Sequence, residues 1–418
     1  MNRIYNTEII SVGTELLLGH ITNTDARDVS EALAGIGINV LYHTVVGDNP
    51  GRLEKCIEIA KQRADIIIAT GGLGPTCDDL TKDTLAKAFG LELKRNEEEY
   101  KALYDYISAR HKYTENNTKQ AMLPEGCTVF HNTCGTAPGC AFEKDGKIVI
   151  MLPGPPKECR AMLKESVVPY LKRLSDEVIV SHSVRIFGIG ESGVDDIFAD
   201  EMNRMTNPSL APYAKEADCL LKVTAKAGSE AEAEAMCAPV IAHIRDRLGE
   251  FVYGIDVENL EEAVFALLKE KPGTLAFAER CTGGEAAKRF TDIPWASAFF
   301  KGGAVTYTNE AKAKMLGIDP DVIATEGAVS YEVAAEMAEN IRQILAADIG
   351  IGVTGLAGPD GDGVHEVGTV FVSLATENET FVKELHLGAF RTRSFIRRMA
   401  GNHIYDMVRR YLTGLNVI

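Results

Sequence analysis

The segment Thr70-Gly71-Gly72-Leu73-Gly74-Pro75-Thr76-Cys77-Asp78-Asp79-Leu80-Thr81-Lys82-Asp83 holds the densest set of reactive and ligand-binding residue types in this 418-residue chain. The apolar run Asp65 to Thr70 before it reads as a strand covered on both faces, and a helical stretch follows. Ligands of open α/β sheets bind at that edge, where strands end and helices begin. Glycines there let the backbone approach a phosphate and aim N–H groups at it, and a helix N-terminus favours negative charge. Two adjacent aspartates are odd in a loop that binds only an anion. They make sense if a divalent cation bridges carboxylates and phosphate oxygens. Alternatively, Asp78 and Asp79 simply cap the next helix. At the level of residue types both readings stand.

Other loops belong on the same rim. Gly13-Thr14-Glu15 ends the first strand, Glu8 to Val12, so Glu15 is either a ligand or an exposed carboxylate at a helix start. Asn116-Asn117-Thr118-Lys119-Gln120-Ala121 is polar enough to meet a base or ribose, or to be a solvated turn. Gly135-Thr136-Ala137-Pro138-Gly139 and Pro153-Gly154-Pro155-Pro156-Lys157-Glu158 follow strand ends and can also be ordinary turns. Their convergence defines the expected site: Gly71, Gly72, Gly74, Thr76, Asn117, Lys119, Gly135, Thr136 and Gly154 around phosphate, with Asp78, Asp79, Glu15 and Glu158 on a metal.

The elements that must hold these loops alternate strand and helix through the first third of the chain. Strand, helix (Asp25 to Leu33), strand (Asn39 to Val46), helix (Asn49-Pro50 to Arg63) and strand imply a parallel, doubly wound sheet. Tyr100, Leu103, Tyr104 and Ile107 mark a helix over Glu97 to Arg110. The texture changes near Ser175, and a small α+β unit is expected over 175–256, between domains 1–174 and 257–418. The last contains strand candidates Thr274 to Ala278, Ala304 to Thr308, Ile349 to Thr354, Val370 to Ala375 and Phe381 to His386, then a basic helix from Arg391 to Tyr411. Net charge is −16, which disfavours nucleic acid and anionic membrane as partners. No run reaches the ~18 apolar residues of a membrane span. The start lacks a signal-peptide pattern, which points to the cytoplasm. Nine cysteines without a C-x-x-C pair read as reduced, mostly buried thiols.

Taken together, Gly13-Thr14-Glu15-Leu16-Leu17-Leu18-Gly19, the Gly71 to Thr76 loop with Asp78-Asp79, Asn116-Asn117-x-Lys119-Gln120-Ala121, Gly135 to Gly139 and Leu152-Pro153-Gly154-Pro155-Pro156-x-Glu158 resemble the CinA family over the whole chain. The resemblance implies a MoaB-like, molybdopterin-binding type of first domain acting as a metal-dependent ADP-ribose pyrophosphatase, with Mg, Mn or Co as the divalent cation. It also implies a KH-like middle domain, a third domain similar to nicotinamide-nucleotide amidase, and a homodimer. Gly190-Glu191-Ser192-Gly193 has the spacing of a KH nucleic-acid loop, but Glu191, Asp195 and Asp196 face the wrong way in charge. A spacer or dimerisation role fits better.

In the amidase-like domain the resemblance is carried by Thr306-Tyr307-Thr308-Asn309-Glu310-Ala311-Lys312, Gly327-Ala328-Val329-Ser330, Thr354-Gly355-Leu356-Ala357-Gly358-Pro359 and Arg393-x-x-x-Arg397. It implies that Lys312 is the base, with Tyr307, Asn309, Thr354 and Gly355 around nicotinamide mononucleotide. The family's nucleophilic serine is replaced. The segment reads Ala278-Glu279-Arg280-Cys281-Thr282-Gly283-Gly284, and Arg280 has no lone pair with which to attack a carbonyl. Either Cys281 or Thr282 serves instead, or the fold is retained only to bind nucleotide or support assembly.

Overall fold

The computed structural model describes residues 5–109, 113–174, 178–214 and 218–418. The chain's first residues, the expected helix end at Arg110 and the change of texture at Ser175 lie outside the described residues. Two compact units emerge: residues 1–180 with 225–236, and residues 181–224 with 237–418.

The first unit is built on a six-stranded sheet of order Asn39–Val46, Asn6–Val12, Ile66–Thr70, Lys147–Leu152, Gly139–Lys144, Thr128–Phe130. Ile66–Thr70 is buried throughout, and its side chains alternate between faces. Ile66 and Ile68 pack with Val29 and Leu33 of helix Thr24–Ala34. Ile67 and Ala69 pack with Leu53 and Ile57 of helix Pro50–Arg63 and with Leu85 of helix Thr81–Ala88. Helices therefore cover both faces, as expected of a doubly wound sheet. The parallel pairing expected of the first three strands holds, and the sheet beyond them is mixed. The four strands from Asn39–Val46 to Lys147–Leu152 are parallel, but the last two pairings are antiparallel. Lys144 and Lys147 pair across the two-residue turn Asp145-Gly146, both at positive φ. Such a turn makes a hairpin, and a parallel crossover needs a dozen residues or more.

One buried charge ties this sheet to its helix. Glu8 is fully buried and accepts two bonds of 2.8 Å from Arg63 and one of 2.6 Å from the Thr44 hydroxyl. Arg63→Ala leaves that carboxylate without its ion partner, so it should lower the urea unfolding midpoint. An unchanged midpoint would contradict this account.

In the middle segment a four-stranded sheet runs Ser209–Ala214, Cys219–Ala227, Val178–Ile186, Val252–Ile255, with helices Glu191–Arg204 and Glu230–Leu248. Gly190 is the N-cap of helix Glu191–Arg204, so Glu191, Ser192 and Gly193 form its first turn rather than a free Gly-x-x-Gly loop. The third sheet has the order Phe300–Val305, Leu275–Glu279, Ile349–Gly355, Thr369–Ala375, Thr380–His386. Its first three strands are parallel and its last two pairings antiparallel. The strand expected over Ala304 to Thr308 ends at Val305. Thr308 instead caps a helical turn, its hydroxyl accepting from Ala311 N at 3.1 Å. The closing helix, Arg393–Thr413, is a core element: Ile396, Ala400, Ile404, Tyr405 and Val408 are buried, and Arg409 pairs with Asp406 inside the unit. No helix among the described residues is long and apolar enough to cross a membrane.

Candidate active sites

At the C-terminal edge of the parallel strands in the first unit lies a cavity of about 550 Å³. Its wall brings together Gly13, Glu15, Gly71, Gly72, Gly74, Asp78, Asp79, Thr136, Gly154 and Glu158, and adds Asn23, Thr24, Asp25 and Asp48. The first residues of helices Thr24–Ala34 and Pro156–Met162 stand on the same rim; Asn23 Oδ1 accepts Ala26 N at the first, and the second opens on Pro156, which has no N–H. The glycine at 71 is required twice over. Its φ is +88°, and an added Cβ would strike the Val12 carbonyl oxygen. At Gly154 an added Cβ would come within 3.2 Å of Gly71 Cα, so the two loops touch through glycine.

Neither aspartate caps the next helix. Leu80 is the N-cap of Thr81–Ala88 and no side chain bonds its first turn. Thr76 binds both carboxylates: its hydroxyl donates to Asp78 and, at 2.5 Å, to Asp79 Oδ2, which also accepts Thr76 N at 2.8 Å. Thr76 is thus a brace of the aspartates and does not line the cavity wall. The Thr76 hydrogen bond holds the Asp78 carboxyl below its usual range, so Asp78 is ionised at neutral pH.

Lys119 is spent on the loop as well. It donates to the carbonyls of Asp79 (2.5 Å) and Thr76 (3.3 Å) and lies 3.7 Å from Asp83. Lys82, given no role from sequence, is buried and donates to the carbonyls of Lys119 and Gln120 at 2.8 and 2.7 Å. Burial pushes it down to about 8. It pins the 3₁₀ turn Glu115–Ala121 to the aspartate helix. Asn117 is used inside that turn, accepting from Thr114 N at 3.0 Å in a capping box, and is not on the wall. Gln120 does line the wall and donates to Thr136 Oγ1 at 3.0 Å. Glu158 is held by Asn132 Nδ2 at 2.7 Å, and Gly135, off the wall itself, leaves the space its carboxylate fills.

Six carboxylates line this cavity, and among its described lining residues there is no Lys, Arg or His. As they stand, no three of the His, Cys, Asp or Glu groups among the described residues meet closely enough to hold an ion. Glu15, Asp48, Asp78, Asp79 and Glu158 nonetheless make an all-oxygen donor set with no cation on the cavity wall, which fits a hard divalent cation.

The third domain has a smaller cavity, about 150 Å³, lined by Arg280, Cys281, Tyr307, Gly355, Leu356, Ala357, Gly358, Asp360 and Arg393. Arg280 donates from Nη1 to Gly355 O at 2.9 Å, and Arg393 donates to Tyr307 Oη at 3.0 Å. The turn bearing Arg280 is fixed by Glu279, a buried carboxylate that accepts Gly284 N (2.8 Å), Ala286 N (3.2 Å) and Ala287 N (2.8 Å). Lys312 is fully buried, with Nζ donating to Thr306 O at 3.2 Å. Burial, with the nearby Arg280 charge second, pushes it down to about 8. Burial also pushes the Cys281 thiol up to about 12, far from a thiolate at neutral pH. Thr282 is wholly buried and its hydroxyl has no partner among the described residues. Thr354 donates to Ala328 O at 2.6 Å, and Asn309 opens an exposed helical turn. Lys312, Thr282, Thr354 and Asn309 are not on the cavity wall.

Three family profiles match in sequence order. Residues 8–173 match a probable molybdopterin binding domain, 181–254 the damage-inducible protein CinA KH domain, and 257–412 the CinA C-terminal domain. A competence-damage inducible protein of Caldanaerobacter subterraneus subsp. tengcongensis is 48% identical over 412 residues, covering 98% of this chain and 99% of the relative. The chain belongs to the CinA family. A CinA-like protein of Desulfovibrio desulfuricans is 47% identical over 414 residues, covering 98% of this chain and 97% of its own. Among solved structures, the protein CinA with unknown function from Thermoplasma acidophilum is 34% identical, covers 41% of this chain and 99% of its own, and has a TM-score of 0.38. This CinA-family protein therefore has a MoaB-like first domain, a KH-like middle domain and a CinA C-terminal domain.

The residues that sequence reasoning missed in this CinA-family chain are Asp25, Asp48, Lys82 and Glu279; Gln120, from the polar cluster expected to meet a base or ribose, does reach the wall. Asp48 follows the parallel strand Asn39–Val46, the same edge rule that singled out Glu15, and it locks Thr14 by accepting Thr14 N at 2.8 Å. That signal was available. Nothing in the local sequence marks Lys82 or Glu279 as buried.

Proposed function

We propose that the first domain hydrolyses the pyrophosphate of ADP-ribose, or of a closely related nucleoside diphosphate derivative, with a divalent cation. The observation that carries this reading is the cavity in which six carboxylates share one wall with the glycine loop Gly71 to Gly74. A diphosphate cannot enter such a field of negative charge alone. Asp78 and Asp79, with Glu15, Asp48 or Glu158, would hold the cation, which when bound neutralises charge on phosphate oxygens. The backbone of Gly71 to Gly74 lies where phosphate oxygens would sit, and Thr76, Lys119 and Lys82 keep that loop in shape. Glu158, fixed by Asn132, and Thr136, fixed by Gln120, close the opposite wall.

The third domain belongs to the same reading as a nucleotide-binding fold whose amidase chemistry is impaired. A pterin-binding module is the second reading of the first domain, favoured by its match to a molybdopterin-binding profile. Purified protein incubated with ADP-ribose and related dinucleotides, with Mg, Mn or Co and then with chelator, separates the two. The hydrolytic reading expects AMP and ribose 5-phosphate only when a divalent cation is present. Failure to form AMP with any of the three metals would leave the binding module.

A further inference from the structure

Asp25 stands on the cavity wall in the first turn of helix Thr24–Ala34, and it is only 8% exposed. Buried acids elsewhere in this chain are satisfied: Glu8 by Arg63 and Thr44, Glu279 by three backbone N–H groups. Asp25 is not. Its Oδ1 is enclosed yet has no partner among the described residues, and Asn23, not Asp25, caps the helix by accepting Ala26 N at 3.1 Å. A buried acceptor without a partner is costly, and the residue that carries it lines the cavity wall.

We propose that Asp25 is the proton acceptor for the water that attacks the pyrophosphate. The inference rests on the hydrolytic reading of the cavity and gives it a general base. In the step, the water oxygen bonds to phosphorus and one water proton passes to the Asp25 carboxylate. The bond from that phosphorus to the bridging oxygen breaks, and its electron pair leaves with the second phosphate. Asp25 then releases its proton to solvent. The helix N-terminus steadies the carboxylate between turnovers.

The surroundings suit that task. Burial, with Asp28 second, pushes Asp25 up to about 6, opposed by Arg160. Asp28 is itself held by Arg160 at 2.5 Å and Arg27 at 2.7 Å, and Cys159 beside Arg160 is buried. On the other elements packed there, His43 is engaged with Ser30 and Glu165 with Thr133. Across the cavity stand Glu15, Asp48, Asp78, Asp79 and Glu158. A base in that range is largely ionised at neutral pH yet basic enough to take a proton.

The test is Asp25→Asn, which keeps the shape, assayed for ADP-ribose hydrolysis from pH 5 to 8 with saturating metal. The expected result is a kcat lower by ~10²-fold with KM within about twofold, and loss of the acid limb of the wild-type kcat profile. A second readout needs no turnover. Because the folded value lies above the ordinary 3.8, wild type is favoured below pH 3.8 and loses that advantage as pH rises through about 6. Its thermal midpoint should therefore fall relative to Asp25→Asn over pH 4 to 7. An Asn variant as active as wild type, a loss confined to KM, or parallel stability curves would each overturn the proposal. If wild type hydrolyses no pyrophosphate with any metal, the hydrolytic reading itself is overturned and Asp25 with it.

Discussion

Asp78→Asn and Asp79→Asn should each lower metal-dependent turnover of ADP-ribose by ~10²-fold or more while leaving the fold intact. Loss of a metal-holding oxygen removes charge stabilisation at the moment phosphate charge develops, the largest single contribution such a site makes. The structure explains why the fold should survive. Asp78 is exposed and Asp79 half-buried, and both are bonded by Thr76 within their own loop. Neither supports the sheet. Asp78 has one oxygen on Thr76 and is ionised at neutral pH, so the Asn change removes charge without changing size. Asp79 takes two bonds from Thr76, so its Asn variant disturbs the loop more. Full activity in either variant, or turnover indifferent to chelator, would take that residue or the metal out of the mechanism.

Much of the frame was legible because each level of the sequence agreed. The run Ile66 to Thr70 reads as a doubly covered strand because every residue in it is buried on one face or the other. Asn49-Pro50 opens its helix as the cap chemistry demands, with Asn49 accepting Arg52 N at 3.0 Å. Asp145-Gly146 is equally informative, a two-residue hairpin turn that makes the sheet mixed. The glycine loops converge because parallel strands end on one edge. Side-chain assignments fared differently, because sequence does not say whom a polar group meets. Asn117 and Lys119 have the right chemistry for a nucleotide, but Asn117 is consumed by its own turn and Lys119 by carbonyls of the aspartate loop. Asp25 reads as an ordinary first-turn acid until its burial is seen.

The protein should form nicotinate mononucleotide from nicotinamide mononucleotide at least ~10³-fold more slowly than an enzyme-like rate of ~1 s⁻¹. The argument is about where lone pairs are. Arg280 occupies the cavity wall and is bonded to Gly355 O, with no nucleophilic atom to offer. Cys281, on the same wall, is held as a thiol by burial, and Thr282 is enclosed away from it. The base is in better order than its client. Lys312 is pushed down to about 8 in a fully buried position, so a useful fraction is neutral near that pH. Arg280→Ser puts a hydroxyl at position 280 and opens space between the wall and Lys312. It should raise deamidation measurably above wild type, since the cavity already supplies orientation. It also removes the charge that, after burial, lowers Lys312, so the rescued activity should lie at higher pH than a site with the full depression would show. Product formed by wild type at ~1 s⁻¹ would overturn the impaired-site reading. Cys281→Ala and Thr282→Val, assayed separately, would then identify the nucleophile by which one abolishes the rate.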